Sequence, residues 1–216
     1  VITDMTAAEA VLCVMGPRAR DLMQAVSPND FSNAGHPFGT AREIEVGMGL
    51  ARAHRVTYVG ELGWELYIPA EHVLDVYERL VEAGPKYGLR HAGYHAMGAC
   101  RTEKGYRHWG HDIGIEDTPL EAGLAFTCGW DKPGGFIGQK TLVEAKTRPL
   151  VRRLVSVVLA AREPLLWGGE ALLRDGKPVG DLTSAGYGHT IGASVGMGYV
   201  KRVDGASIDA AWLDAL

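Results

Sequence analysis

The sequence predicts an α+β fold: an antiparallel sheet with helices over residues 1–148, followed by a small, mostly β domain over 149–216. Three observations predict it. As far as Arg148-Pro149, short β-capable runs are interspersed with apolar stripes at helical spacing. From RRLVSVVLA (152–160) onward, the segments read as strands punctuated by glycine. The chain has 216 residues and is 46% hydrophobic, enough to fill the core of one large or two modest domains.

The elements follow in order. VLCVM (11–15) is a short apolar strand closed by Gly16-Pro17. Pro17 suits the first turn of a helix, and Ala19, Leu22, Met23 and Val26 recur at helical spacing until Ser27-Pro28. REIEVG (42–47) alternates Ile44 and Val46 with charges, as a half-buried strand does. RVTYVGELGWELYIP (55–69) reads as a hairpin with Gly60-Glu61-Leu62-Gly63 as its loop. Val73, Leu74, Tyr77, Leu80 and Val81 form the apolar stripe of a helix that Gly84 and Pro85 end. A helix is expected over roughly 92–104, and a short one near DTPLEAG (117–123), capped by Asp117 or Thr118. KPGGFIG (132–138) is a loop and GQKTLVEAK (138–146) one more short helix. Asp175-Gly176 makes a tight turn between ALLR and KPVGDLT, and SAGYGHTIGASVGMG (184–198) is glycine-dense and β-like.

Charge excludes some classes of function. With 22 basic against 26 acidic residues there is no electrostatic case for nucleic acid or an anionic membrane. No apolar run approaches the roughly 20 residues of a membrane helix. Cys13, Cys100 and Cys128 are odd in number and widely spaced, which fits free thiols in a reducing compartment, the cytoplasm or, in a eukaryote, the mitochondrial matrix. A chain that begins VITDMT reads as a piece of something longer, with processing as the second explanation.

The hairpin carries the first candidate site. With a loop at 60–63, Val59 faces Trp64 and Tyr58 faces Glu65. Alternation sorts Val59, Trp64, Leu66 and Ile68 to the core face and Val56, Tyr58, Glu65 and Tyr67 to the other. An aromatic ring opposed to a carboxylate can hold a flat heterocycle, by stacking and by accepting two parallel N–H bonds. A solvent-facing strand with an ordinary Glu is the competing reading. Trp109, beside Gly110, is either an aromatic plate for a ligand or a plain core residue. His91 and His95 stand four apart on the expected helix, but no H-E-x-x-H acid accompanies them and no metal site is expected. GYGHTIG (186–192) is not G-x-G-x-x-G and reads as a turn cluster. Arg101 and Glu103 are expected to tie a helix end into the fold.

At these residues the chain resembles a known family. YVGELGWELY (58–67), RTEKGYRHWGHDI (101–113), DTPLEAGLAF (117–126), FIGQKTL (136–142) and TSAGYGHTIGASVGMGYV (183–200) resemble the aminomethyltransferase, or glycine-cleavage T-protein, fold. More narrowly, EKGYRHWG followed by DTPLEAGLAFTC is similar to the folate-binding C-terminal half of sarcosine and dimethylglycine dehydrogenases. The resemblance implies a folate-binding first domain, incomplete at its N-terminus, and a truncated, barrel-like second domain. It also implies a tetrahydrofolate site, with Glu65 on the carboxylate that grips the pterin N–H groups, Tyr58 on an aromatic folate neighbour, and Trp109 where relatives place a Tyr. Met97 stands where T-proteins carry a folate-contacting Arg, a departure from the glycine-cleavage subgroup.

The function this implies is the folate module of an FAD-dependent N-methyl-amine dehydrogenase, with FAD on an upstream domain of the same polypeptide. The module hands the one-carbon unit to tetrahydrofolate, giving 5,10-methylenetetrahydrofolate. No catalytic residue is assigned within the chain, and the fragment alone is expected to be inactive. The alternatives are a stand-alone aminomethyltransferase of glycine cleavage and a non-catalytic folate-binding module.

Overall fold

The structure is a computed structural model that describes residues 1–161 and 163–214. By its contacts the chain divides into two compact units, Val1–Met97 and Gly98–Leu216. Each contains one four-stranded antiparallel sheet, so the architecture is the α+β one expected from the sequence. The change of composition near 149 falls inside the second unit. The segment before it is tied to the second sheet: the Leu154 N–H donates to the Glu121 carbonyl at 2.8 Å, and Arg152 reaches Asp117 at 2.7 Å.

In the first unit, β1 (Glu9–Met15), β2 (Ala41–Val46), β3 (Gly49–His54) and β4 (Gly63–Pro69) assemble in the order β1-β4-β3-β2. Trp64, Leu66 and Ile68 of β4 are buried together with Ile44 and Val46 of β2, as their alternation requires. Two helices cover this face. From α1 (Ala19–Val26) the residues Ala19, Leu22 and Met23 are buried, and from α2 (Val73–Ala83) Val76 and Leu80. The stripe on α2 is narrower than its sequence suggests, because Leu74 and Tyr77 remain exposed. Phe31 meets Trp64 edge to face, centroids 5.1 Å apart, in the middle of the core. At Gly49 the approach of α2 is close: a Cβ there would stand 2.8 Å from the His72 Cβ. Shortening the buried Ile44 to valine is expected to lower stability by about 0.5–1.5 kcal/mol, read as a shift in the urea midpoint at unchanged slope.

In the second unit, β5 (Arg152–Val158), β6 (Ala171–Arg174), β7 (Lys177–Gly188) and β8 (Ala193–Lys201) run in the order β5-β8-β7-β6. Asp175 (φ 50°) and Gly176 (φ 72°) make the two-residue turn between β6 and β7 that the sequence predicts. β7 bulges at Thr183: Leu182 pairs with Gly198 but Ser184 with Met197. Gly198 admits no side chain, because a Cβ there would collide with the Asp181 carbonyl.

Before this sheet come α3 (Tyr94–Glu103), close to its expected span, and α4 (Gln139–Ala145). The short helix expected at 117–123 is absent, although its capping chemistry is present. Thr118 donates to Glu121 at 2.8 Å and accepts the Glu121 N–H at 3.2 Å, but Gly123 at φ 67° turns the chain away after one turn. Asp117 is not a cap; it accepts the Gly114 N–H and the Arg152 guanidinium instead. A fifth short helix, α5 (Ala210–Leu213), follows β8.

Candidate functional site

Glu65 sits on the central strand β4, on the face away from the core, with Cys13 of β1 opposite on one side and His54 of β3 on the other. Its neighbour on the same face, two residues on, is Tyr67, whose hydroxyl donates to Glu65 Oε2 at 3.1 Å. Among the described residues no hydrogen bond reaches Glu65 Oε1. The Tyr67 ring lies 4.6 Å from the His54 ring, tilted by 37°, and the Arg52 guanidinium stands 5.2 Å from its centroid. Arg52 Nε donates to His54 Nε2 at 3.2 Å. The other end of the guanidinium reaches Glu9 at 3.1 Å.

Electrostatics keep Tyr67 a donor. Partial burial, then the Glu65 charge, push its hydroxyl above the ordinary phenol range. The Cys13 thiol is also pushed up, by desolvation first and by Glu65 second, so it remains protonated beside the carboxylate. The result is an acceptor held on one oxygen by Tyr67 and flanked by planar side chains.

Tyr58 is not where the hairpin reading puts it. Gly63 already belongs to β4, paired with Met15, and Glu65 faces His54 instead of Tyr58. Residues 55–62 form a loop. Its Thr57 hydroxyl accepts the N–H groups of Val59 (3.2 Å) and Glu61 (3.3 Å), and Gly60 adopts φ 76°. These local bonds satisfy amides that a strand ladder would otherwise need, and the chain leaves the sheet. Tyr58 is half-buried on this loop, and Val59 is half-buried outside the core.

Trp109 belongs to the second unit, where it follows α3 and is 65% exposed, so it is no core tryptophan. Close by in sequence is a group the sequence reading missed. Asp112, fully buried, takes the guanidinium of Arg101 on Oδ2 together with the His108 N–H at 2.8 Å. Its Oδ1 lies 2.6 Å from the Thr183 hydroxyl and accepts the Ser184 hydroxyl at 2.5 Å. Consecutive strand residues ordinarily point to opposite faces; the bulge at Thr183 lets both hydroxyls reach one carboxylate. Burial alone would raise the Asp112 pKa, but these hydroxyls, the amide and Arg101 outweigh it and hold the carboxyl below the usual range. Arg101 thus ties the end of α3 into its unit, and Glu103 does the same by accepting the Ile191 N–H at 2.9 Å. The signal for Asp112 was an acid inside an otherwise glycine- and aromatic-rich loop, which does not reveal its partners.

Two family models match the chain: the GCVT N-terminal domain over residues 1–132, and the glycine cleavage T-protein C-terminal barrel domain over 152–213. The chain belongs to the glycine cleavage T-protein family. This T-protein-family chain is 44% identical to the 4-methylaminobutanoate oxidase (formaldehyde-forming) of Paenarthrobacter nicotinovorans, over 91% of its own length and 24% of that protein. To the mitochondrial sarcosine dehydrogenase of Mus musculus it is 39% identical, over 92% of its length and 21% of the relative. It therefore spans less than a quarter of these relatives. Among solved structures it matches the glycine cleavage system aminomethyltransferase T of Bartonella henselae, at TM-score 0.75 and 25% identity, covering 89% of this chain and 52% of that one. Among the described residues of this T-protein relative, no helix is long and apolar enough to cross a membrane.

Proposed function

We propose that this chain is the tetrahydrofolate-binding part of an FAD-dependent N-methyl-amine dehydrogenase of the sarcosine or dimethylglycine type. The observation that carries the reading is the Glu65 carboxylate: engaged by Tyr67 on Oε2, open on Oε1, and set beside planar side chains. That acceptor fits the edge of a pterin, which presents N–H groups in the plane of a flat ring. Membership of the T-protein family and 39% identity to a sarcosine dehydrogenase support the same assignment.

In this role Glu65 accepts the pterin N–H groups and fixes the orientation of the ring. Tyr58 on its loop offers aromatic surface to that planar ligand, and in the second unit the exposed indole of Trp109 is an aromatic plate for folate in its own right. FAD bound outside this chain would accept the two electrons of N-methyl oxidation, and this chain would hold the tetrahydrofolate that receives the one-carbon unit as 5,10-methylenetetrahydrofolate. The setting is a reducing compartment, the cytoplasm or the mitochondrial matrix.

The test uses the full-length protein. It is expected to bind tetrahydrofolate by calorimetry, and to convert sarcosine or dimethylglycine to 5,10-methylenetetrahydrofolate with folate present and to formaldehyde without it. Absence of folate binding sinks the reading. The match to an aminomethyltransferase structure favours, as a second reading, one-carbon transfer without amine oxidation. Amine-dependent dye reduction by the full-length protein separates the two.

A further inference from the structure

We infer that Tyr67 is a positioning residue for Glu65, held in place by Arg52 and His54, and that this outer-face cluster sets how tightly the carboxylate binds its ligand. The inference rests on the reading of Glu65 as the folate acceptor. A glutamate has three side-chain torsions and loses much rotamer freedom when a ligand fixes it. Here that freedom is reduced in advance, because Tyr67 Oη holds Oε2 at 3.1 Å.

Tyr67 is itself restrained on two sides. Arg52 stands opposite it in the β3–β4 register, and His54, opposite Glu65, lies diagonal to it with ring centroids 4.6 Å apart. Arg52 is anchored at both ends, by His54 through Nε and by Glu9 through its terminal nitrogen. The Arg52–Glu9 pair is about half exposed on the arginine side, so it contributes little to folding. Its geometry instead keeps the guanidinium over the Tyr67 ring. The side chains of this cluster come from β1, β3 and β4 of a single sheet.

The test is tetrahydrofolate calorimetry on the full-length protein. Tyr67→Phe keeps the ring and removes the donor; it is expected to weaken binding up to about tenfold in a protein that stays folded, because the released carboxylate must then be ordered when the ligand binds. Arg52→Met is expected to weaken binding by a smaller factor, again without loss of stability. The double variant Tyr67→Phe/Glu65→Gln should bind no worse than Glu65→Gln alone, because a positioning residue has nothing left to position. Additive losses, or a Tyr67→Phe protein with unchanged affinity beside a weakened Glu65→Gln, overturn the inference.

If Glu65→Gln leaves affinity unchanged, the folate reading of Glu65 has failed, and the positioning role is read without ligand. The pH profile of Cys13 alkylation, followed by peptide mass spectrometry, reports the Glu65 charge across the strand pair. Glu65→Gln should lower its midpoint, and Tyr67→Phe should move it by releasing the carboxylate. An unmoved midpoint in Tyr67→Phe overturns the inference by this second route.

Discussion

Replacing Asp112 with alanine is expected to destabilise the second unit by about 3–5 kcal/mol, the cost of breaking a buried ion pair from one side. The loss leaves the buried Arg101 charge without its counter-ion and strands the Ser184 hydroxyl proton and the His108 N–H. The Thr183 hydroxyl keeps the Met197 carbonyl at 3.0 Å and Arg101 keeps the Tyr106 carbonyl, but neither neutralises the guanidinium. Urea unfolding of the variant should show a lower midpoint at an unchanged slope. A shift under about 1 kcal/mol would mean that water or neighbouring carbonyls replace the carboxylate.

The pH dependence has a definite sign. The folded pKa of Asp112 is depressed, so its contribution is fully present above the unfolded value of about 3.9. It is lost as pH falls through the folded value, when protonation removes the acceptor that Arg101 and the hydroxyls need. Asp112→Asn carries no titrating carboxyl and should therefore lose less stability on acidification than the unaltered protein.

Glu65→Gln is expected to cost on the order of 2–4 kcal/mol of tetrahydrofolate binding in the full-length protein. The shape is nearly preserved, but one acceptor oxygen becomes a donor and confronts a ligand N–H with an N–H, while the charge is lost as well. Tyr58→Phe should cost less, since it retains the ring. Glu61 lies exposed on the 55–62 loop and serves as the control. Calorimetry in which Glu61→Gln cripples binding and Glu65→Gln does not would move the ligand to the loop carboxylate.

Which face a residue occupies was legible in the sequence, but not which strand it meets. The burial of Trp64, Leu66 and Ile68 and the outward placement of Glu65 and Tyr67 follow from alternation alone. The partner of Glu65 does not, because β4 pairs with β1 and β3 and has no hairpin neighbour immediately before it. β3 gave little strand signal: its inward residues are Gly49, Ala51 and Ala53, too small to mark a core face. That hid His54, and with it the aromatic flank of Tyr67. Arg101 was legible as a tie for α3, but its partners Ser184 and Asp112 are joined through a bulge that no periodicity announces.

The position of β4 between β1 and β3 has a consequence for motion. Glu65 is carried by backbone that is hydrogen-bonded on both sides, the part of a sheet that opens only when the sheet itself comes apart. Tyr58 is carried outside the ladder, by a loop tied to the end of β1 through the Gly16 N–H donating to the Leu62 carbonyl at 2.8 Å. A ligand gripped by Glu65 therefore has its orientation fixed by a strand that cannot shift without its two neighbours.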